Sequence, residues 1–143
     1  YLKEISRDNA RTPMQWDDSP NAGFTTGTPW INVNPNYREI NARAAVSDPD
    51  SVFHYYQELI RLRHTLPVIV YGKFEGLLED SETIYAYRRL LDGQVLTVAC
   101  NFTDQEQACD LCEDPAAREL ISNYKTHKAG TLQPYEARVI LQK

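Results

Sequence analysis

The sequence predicts an α+β chain in which a loop-rich segment and one amphipathic helix precede an all-β antiparallel domain. Before Pro67 the chain has a single stretch of helical periodicity, whereas after Pro67 short apolar runs alternate with Gly, Asp and Asn. A helical segment followed by a series of strands is typical of this class. We therefore place a domain boundary at Pro67, with residues 1–66 before it and residues 67–143 in the β domain.

The helix is predicted over residues 49–65. Asp48 is the predicted N-cap, and Pro49 suits the first helical position because its missing N–H is not needed there. One face carries apolar residues at helical spacing, namely Val52, Tyr56, Leu59, Leu62 and Leu66. Positive charge in the last turns complements the helix dipole, and Pro67 ends the helix.

Seven short strands are predicted after the helix, in the form of an antiparallel sandwich. The runs are rich in β-branched and aromatic residues and are separated by turn residues. Asp92-Gly93 between two apolar runs predicts a tight hairpin. The predicted strands are 68–71, 74–79, 83–90, 94–102, 106–111, 118–123 and 136–142.

The segment before the helix is predicted to be a long structured loop. Its first forty residues are dense in Pro, Gly, Asn and Asp and have no apolar period. Loops of this length inside a compact domain are commonly functional, as active-site walls or lids. Trp16 and Trp30 supply apolar bodies that can pin such a loop to its scaffold.

Composition and charge exclude several classes of function. With 42% hydrophobic and 24% charged residues, the chain has the composition of a globular protein. No apolar run reaches the length of a membrane span, and the net charge of -5 is spread along the chain. We therefore expect neither a membrane nor a nucleic-acid partner. Three cysteines, an odd number, and the absence of a signal-like N-terminus favour a reducing cytoplasm.

Cys109-x-x-Cys112, with Cys100 and His127 nearby in sequence, raises the question of a zinc site. Structural zinc sites usually carry closely spaced ligand pairs at both ends, and only one such pair is present. We expect no metal and no cofactor. Asn101-Phe102-Thr103 matches a glycosylation acceptor, which matters only in a secreted chain.

The string Ser6-Arg7-Asp8-Asn9-Ala10-Arg11-Thr12-Pro13-Met14-Gln15-Trp16-Asp17 closely resembles a signature of α-glucosidases in glycoside hydrolase family 13. The group is that of oligo-1,6-glucosidase and dextran glucosidase. The similarity is strong over the first 72 residues and loose afterwards. It implies that residues 1–66 are the eighth βα loop and last helix of a (β/α)8 barrel, followed by the family's all-β C-terminal domain. Since such barrels place the active site on their βα loops, the loop at 6–40 is expected beside the substrate.

No catalytic residue is expected in this chain. Retaining glycosidases need two carboxylates about 5 Å apart, and the resemblance implies that these lie upstream of the signature. Spacing nominates no substitute pair among Glu4, Asp8, Asp17 and Asp18. The isolated chain is therefore expected to be inactive.

The resemblance does imply two substrate-binding residues. Arg7 matches an arginine that pairs with an upstream Asp and hydrogen-bonds the non-reducing glucose, a task that suits the planar guanidinium. Arg11 resembles a second arginine that lines the same pocket. Trp16 and Trp30 are alternative sugar-stacking residues, although aromatic residues in a loop more often pack it onto the scaffold.

Three functions stay open at this level. The first is an α-glucosidase that cleaves short α-1,6 or α-1,4 glucosides with retention, with an isomaltose-like oligosaccharide and the rest of the barrel as partners. The second is a trehalose-6-phosphate hydrolase, because that group carries a very similar signature. The third is a β domain that serves only as a carbohydrate-binding or structural module.

Overall fold

The computed structural model describes residues 10–143, which fall into two compact units. The N-terminal unit extends to Gln57, and the C-terminal unit covers Glu58–Lys143. Within the described part of the chain, no helix is long and apolar enough to cross a bilayer.

The N-terminal unit is built mainly from turns and short helical pieces. Pro20–Gly23 forms a turn in which Asn21 and Ala22 have positive φ, and Pro35–Arg38 is a 3-10 helix that begins at a proline. They precede a short α-helix, α1 (Ala42–Ser47), which the sequence interpretation had missed. Asn41 caps this helix, since its side-chain oxygen accepts a hydrogen bond from the backbone of Ala44 at 2.9 Å.

Helix α2 spans Val52–Thr65, so the predicted start at residue 49 is wrong. Asp48 ends α1 instead of starting α2, because its N–H donates to the carbonyl of Ala44 at 3.0 Å. The residue before α2 is Ser51, whose hydroxyl oxygen lies 3.5 Å from the N–H donor of His54. The predicted end of the helix, at residue 65, is confirmed.

Residues 68–71 form a helix, so the strand predicted there is wrong. Helix α3 covers Pro67–Tyr71, with proline at its first position, and it ends at Gly72, whose N–H donates to the carbonyl of Val68 at 3.1 Å. The run is β-branched and favours a strand by propensity. Packing overrides that preference, since Val68 is fully buried against the sheet.

Within residues 10–143, seven strands form two antiparallel sheets. A five-stranded sheet has the order β1-β2-β3-β7-β5, and a two-stranded sheet joins β4 to β6. Five predicted strands match closely, the one predicted at 106–111 shrinks to two residues, and β6 was not predicted. The strands are β1 (Lys73–Leu77), β2 (Ile84–Leu91), β3 (Gln94–Asn101), β4 (Gln107–Ala108), β5 (Arg118–Ser122), β6 (Thr131–Leu132) and β7 (Ala137–Gln142).

The hairpin predicted at Asp92-Gly93 is confirmed. Leu91 pairs with Gln94, so the loop has two residues. Both have positive φ, 48° at Asp92 and 78° at Gly93, as the turn that matches strand twist requires.

The five-stranded sheet buries apolar side chains on both faces. One face, which includes Ala86 and Ala99, packs with Leu132 of β6 and with Cys109 and Cys112. The other face, which includes Leu96 and Val98, packs with Val68 of α3. Two covered faces explain why β3 reads as a nearly continuous apolar run.

Arg89 of β2 fastens α3 to the sheet. Its guanidinium donates to the carbonyls of Val68 and Val70, both at 3.2 Å, and of Gly72 at 2.9 Å. These carbonyls belong to the end of α3, where a helix leaves its acceptors unsatisfied. Positive charge is also favourable at this end of the helix dipole.

Asn101 is a buried structural residue, 3% exposed. Its side-chain amide donates to the carbonyls of Gln105 at 2.7 Å and Gln133 at 2.9 Å, and its oxygen accepts from Thr103 N at 2.9 Å. A side chain so enclosed cannot take a glycan in the folded protein. The acceptor-like triplet is therefore the turn after β3.

Candidate functional site

The candidate site begins at the arginine pair of the N-terminal segment. Arg7 lies outside the described residues, so the structure says nothing of its surroundings. Arg11 is exposed, at the start of a stretch without regular secondary structure that reaches to Trp16. Pro13, two residues further on, is buried and has its φ fixed by its ring.

The stretch ends in a segment, Gln15–Trp16–Asp17, that is held from two sides. On one side, the N–H groups of Ala42 and Arg43 donate to the carbonyls of Gln15 at 2.8 Å and Trp16 at 3.0 Å. On the other side, the N–H groups of Trp16 and Asp17 both donate to the carbonyl of Ala22, at 2.9 and 3.2 Å. The beginning of α1 and the turn at Ala22 thus fix the path of this segment, which we call the anchor segment.

The side chain of Gln15 adds a third attachment. Its amide nitrogen donates to the side-chain oxygen of Asn36 at 3.0 Å and to the carbonyl of Ile40 at 2.5 Å. The 3-10 helix Pro35–Arg38 is therefore attached to the same segment as α1.

The carboxylate of Asp17 accepts several hydrogen bonds and takes part in an ion pair. It accepts hydrogen bonds from the N–H of Ser19 at 2.9 Å and from the Ser19 hydroxyl, and it pairs with Arg43 at 2.5 Å. The same guanidinium reaches Asp18 at 3.1 Å. The bonds from Ser19, and then the charge of Arg43, hold the pKa of Asp17 below its ordinary value. Asp17 is therefore an acceptor at neutral pH and not a proton donor.

The turn opposite Asp17 needs glycine at one position. Asn21, Ala22 and Gly23 all have positive φ, at 55°, 58° and 67°. A Cβ at Gly23 would lie 2.8 Å from a carboxylate oxygen of Asp17, well inside contact distance. Only glycine lets this left-handed turn approach the Asp17 carboxylate so closely.

The tryptophans of the N-terminal unit are exposed. Trp16 is 54% and Trp30 is 85% exposed, so neither ring is fully packed against the described residues. Their use in stacking on a sugar stays a prediction.

The C-terminal unit separates the residues considered for zinc. Cys109 and Cys112 lie in the core on one face of the five-stranded sheet, whereas Cys100 packs on the opposite face. Burial raises the pKa of Cys112 to about 12, which disfavours the thiolate that a metal would need. Among residues 10–143, no group of three His, Cys, Asp or Glu side chains is arranged to hold an ion.

His127, the fourth of these residues, is held by carboxylates. Its Nδ1 lies 2.6 Å from Glu136, a fully buried side chain that also accepts from the N–H of Gln133. Its Nε2 lies 3.0 Å from Glu119, which in turn accepts from Arg138 at 3.2 Å. The ring thus links the chain before β7 to β5.

Sequence reasoning missed a row of three aromatic rings on the C-terminal unit. The ring centroids of Phe74 and Tyr87 are 5.4 Å apart, and those of Tyr87 and Tyr85 are 5.7 Å apart. Phe74 and Tyr85 are about half exposed. The row arises from the register of β1 against β2. Since the sequence alone does not give this register, it could not have predicted the row. A groove of about 230 Å³, lined by Tyr87 and by Leu59 and Ile69, lies on the same face.

Two family models match the chain. Residues 1–72 match the model described as alpha amylase, catalytic domain. Residues 86–142 match the model described as beta-galactosidase C-terminal domain.

Similar proteins include oligo-1,6-glucosidases and trehalose-6-phosphate hydrolases. The oligo-1,6-glucosidase of Parageobacillus thermoglucosidasius is 52% identical over 141 residues, which is 93% of this chain and 25% of that protein. The trehalose-6-phosphate hydrolase of Bacillus subtilis (strain 168) is 44% identical, over 96% of this chain and 26% of that protein. The chain spans about a quarter of the length of these relatives.

A solved structure agrees with these matches. The crystal structure of Bacillus licheniformis trehalose-6-phosphate hydrolase superposes with a TM-score of 0.91 at 43% identity. The match covers 99% of this chain and 27% of that chain. The described fold is thus that of the end of a barrel followed by a β domain.

Proposed function

The chain belongs to the α-amylase catalytic-domain family through residues 1–72, and on that premise we propose that it is the C-terminal part of an α-glucosidase of the oligo-1,6-glucosidase type. The whole enzyme hydrolyses short α-1,6-linked, or α-1,4-linked, glucosides and retains the anomeric configuration. The observation that carries this proposal is the 52% identity to an oligo-1,6-glucosidase of which the chain spans only a quarter.

In this proposal the chain supplies a substrate-pocket loop and a stabilising β domain but no catalytic residue. Retention requires a nucleophile and an acid/base carboxylate about 5 Å apart. Asp17 and Asp18 both pair with the guanidinium of Arg43, and the lowered pKa of Asp17 makes it an acceptor and not an acid. The catalytic carboxylates therefore belong to the part of the enzyme upstream of this chain, and the chain alone is inactive. The boundary between barrel and β domain lies at Pro67.

Arg7 and Arg11 are the proposed substrate-binding residues. A guanidinium can hold a carboxylate with one edge and still donate to sugar hydroxyls, which fixes the non-reducing glucose. Support comes from the exposure of Arg11 and from the anchor segment that follows it. These hydrogen bonds hold the sugar in the pocket and so lower KM.

The proposed surroundings of the enzyme are a reducing cytoplasm, an isomaltose-like oligosaccharide and the remaining barrel. The three cysteines are free thiols, which a reducing compartment tolerates. No cofactor is needed for this chemistry, since carboxylates carry both steps.

A trehalose-6-phosphate hydrolase is the second candidate. It is favoured by the TM-score of 0.91 and 43% identity to an enzyme of that name. This substrate carries a phosphate, which calls for a cluster of basic side chains in the upstream loops.

The third candidate function is a purely structural or carbohydrate-binding role for the β domain. The row Phe74–Tyr87–Tyr85 favours sugar binding, because aromatic rings offer apolar faces. The hydrogen bonds from Arg89 that hold α3 against the sheet favour the structural role, which we prefer.

Substrate choice tests the proposal. Glucose release by the full-length enzyme is measured on isomaltose, maltose and trehalose 6-phosphate at equal concentrations. We expect the highest kcat/KM on isomaltose. Highest activity on trehalose 6-phosphate would instead select the second candidate, and no release from any of the three would contradict both.

A further inference from the structure

We propose that Asp17 is a positioning residue for the substrate pocket, and that it acts by locking the anchor segment against Arg43 so that Arg11 is presented at a fixed place. The inference rests on the proposed substrate-binding role of Arg11. Asp17 itself does not touch the sugar.

We call the interactions of Asp17 with Ser19 and Arg43 the lock, and the carboxylate of Asp17 is its centre. The three donors that converge on Asp17 are the N–H of Ser19 at 2.9 Å, the Ser19 hydroxyl and the Arg43 guanidinium at 2.5 Å. Three donors match the lone pairs of an ionised carboxylate and do not match an amide, which has one oxygen and its own donors. Asparagine at this position therefore loses the charge and also sets one N–H group against another.

The lock connects segments that are distant along the chain. Arg43 lies at the start of α1, and its backbone N–H donates to Trp16 while its side chain holds Asp17. The backbone and the side chain of Arg43 thus bind two consecutive residues of the anchor segment, Trp16 and Asp17. Gly23 also lies close to the Asp17 carboxylate.

Position is transmitted from the lock to Arg11 along a short, stiff stretch. Only five residues separate Asp17 from Arg11, and Pro13, which is buried, lies between them. Because Pro13 restricts its own φ and the conformation of the residue before it, a displacement at the anchor segment moves the whole stretch. Displacing Arg11 lengthens its proposed hydrogen bonds to the sugar and weakens substrate binding, which appears as a higher KM.

A brace that only stabilises the fold would behave differently from a positioning residue. Loss of a brace lowers the fraction of folded enzyme, which reduces the apparent kcat and leaves KM unchanged. Loss of a positioning residue raises KM in the enzyme that remains folded. The two roles are therefore separated by the split between KM and kcat.

The test is Asp17→Asn in the full-length enzyme, assayed on whichever of isomaltose, maltose and trehalose 6-phosphate the wild type hydrolyses best. We expect KM to rise about tenfold and kcat, corrected for active-site content, to change less than threefold. The matched control is Glu82→Gln, which removes one negative charge from an exposed side chain of the C-terminal unit, outside the loop at 6–40. Its KM should stay within twofold of wild type.

A second variant covers the case in which Asp17→Asn does not fold. Arg43→Lys keeps the positive charge but loses the fork that spans Asp17 and Asp18, so KM should rise at least threefold. Unchanged KM in folded Asp17→Asn, or in Arg43→Lys when the first variant is unfolded, overturns the proposal. The proposed function fails separately, since that failure appears as wild-type enzyme inactive on all three sugars.

Discussion

The guanidinium groups of this chain form ion pairs at one place and hydrogen bonds to backbone carbonyls at another. Arg43 bridges two carboxylates beside the anchor segment, whereas Arg89 donates to three carbonyls at the end of α3. Both use the planar fork that lysine lacks. In the proposed enzyme, Arg7 and Arg11 use the same geometry toward a sugar and a carboxylate.

The role of Arg7 is tested by Arg7→Lys in the full-length enzyme. Charge is kept but the bidentate geometry is lost, so kcat/KM on the preferred glucoside should fall at least tenfold. Thermal unfolding monitored by circular dichroism should be unchanged within about 2 °C, the range of a minor surface change. Kinetics equal to wild type would show that the match of Arg7 to the family's arginine is wrong.

At the scale of the elements, local signals compete with packing. Residues 68–71 have strand propensity, yet Pro67 and the burial of Val68 make them a helix. Asp48 and Pro49 read as a helix start, yet Asp48 ends α1. Helix and strand propensities and N-caps each contribute little free energy. Tertiary contacts, which a single sequence does not reveal, therefore decide which element forms.

The cap on α3 gives a prediction at this scale. In the full-length enzyme, Arg89→Met removes the three hydrogen bonds and leaves the carbonyls of Val68, Val70 and Gly72 without this donor. The free energy of unfolding should fall by about 1–3 kcal/mol, as expected for hydrogen bonds that involve a charged group. Urea denaturation measures this, with Arg118→Met on an exposed position of β5 as control. A loss equal to that of the control would contradict the capping role.

The sequence predicted the strands and the hairpin well because their signals are local. Alternation and turn residues located β2, β3, β5 and β7, and Asp92-Gly93 fixed one register. The two-residue strand β6 and the lock at Asp17 could not be predicted in this way. Each depends on partners more than twenty residues away, such as Gln107 for β6 and Arg43 for Asp17.

At the scale of the whole molecule, apolar surface remains on the predicted packed face of α2. Leu62 is buried, but Val52 and Tyr56 are 84% and 64% exposed. A helix with such a face is stable when another element covers it. The proposed cover is the rest of the barrel, in line with the quarter of the relatives' length that the chain spans.

The most direct test of the account compares this chain with the full-length enzyme on isomaltose, at equal molar concentration and with folding of both checked by circular dichroism. We predict glucose release by the full-length enzyme and none above background by the chain alone, because the proposed catalytic carboxylates belong to the part of the enzyme upstream of this chain. Glucose release by the isolated chain would contradict the account.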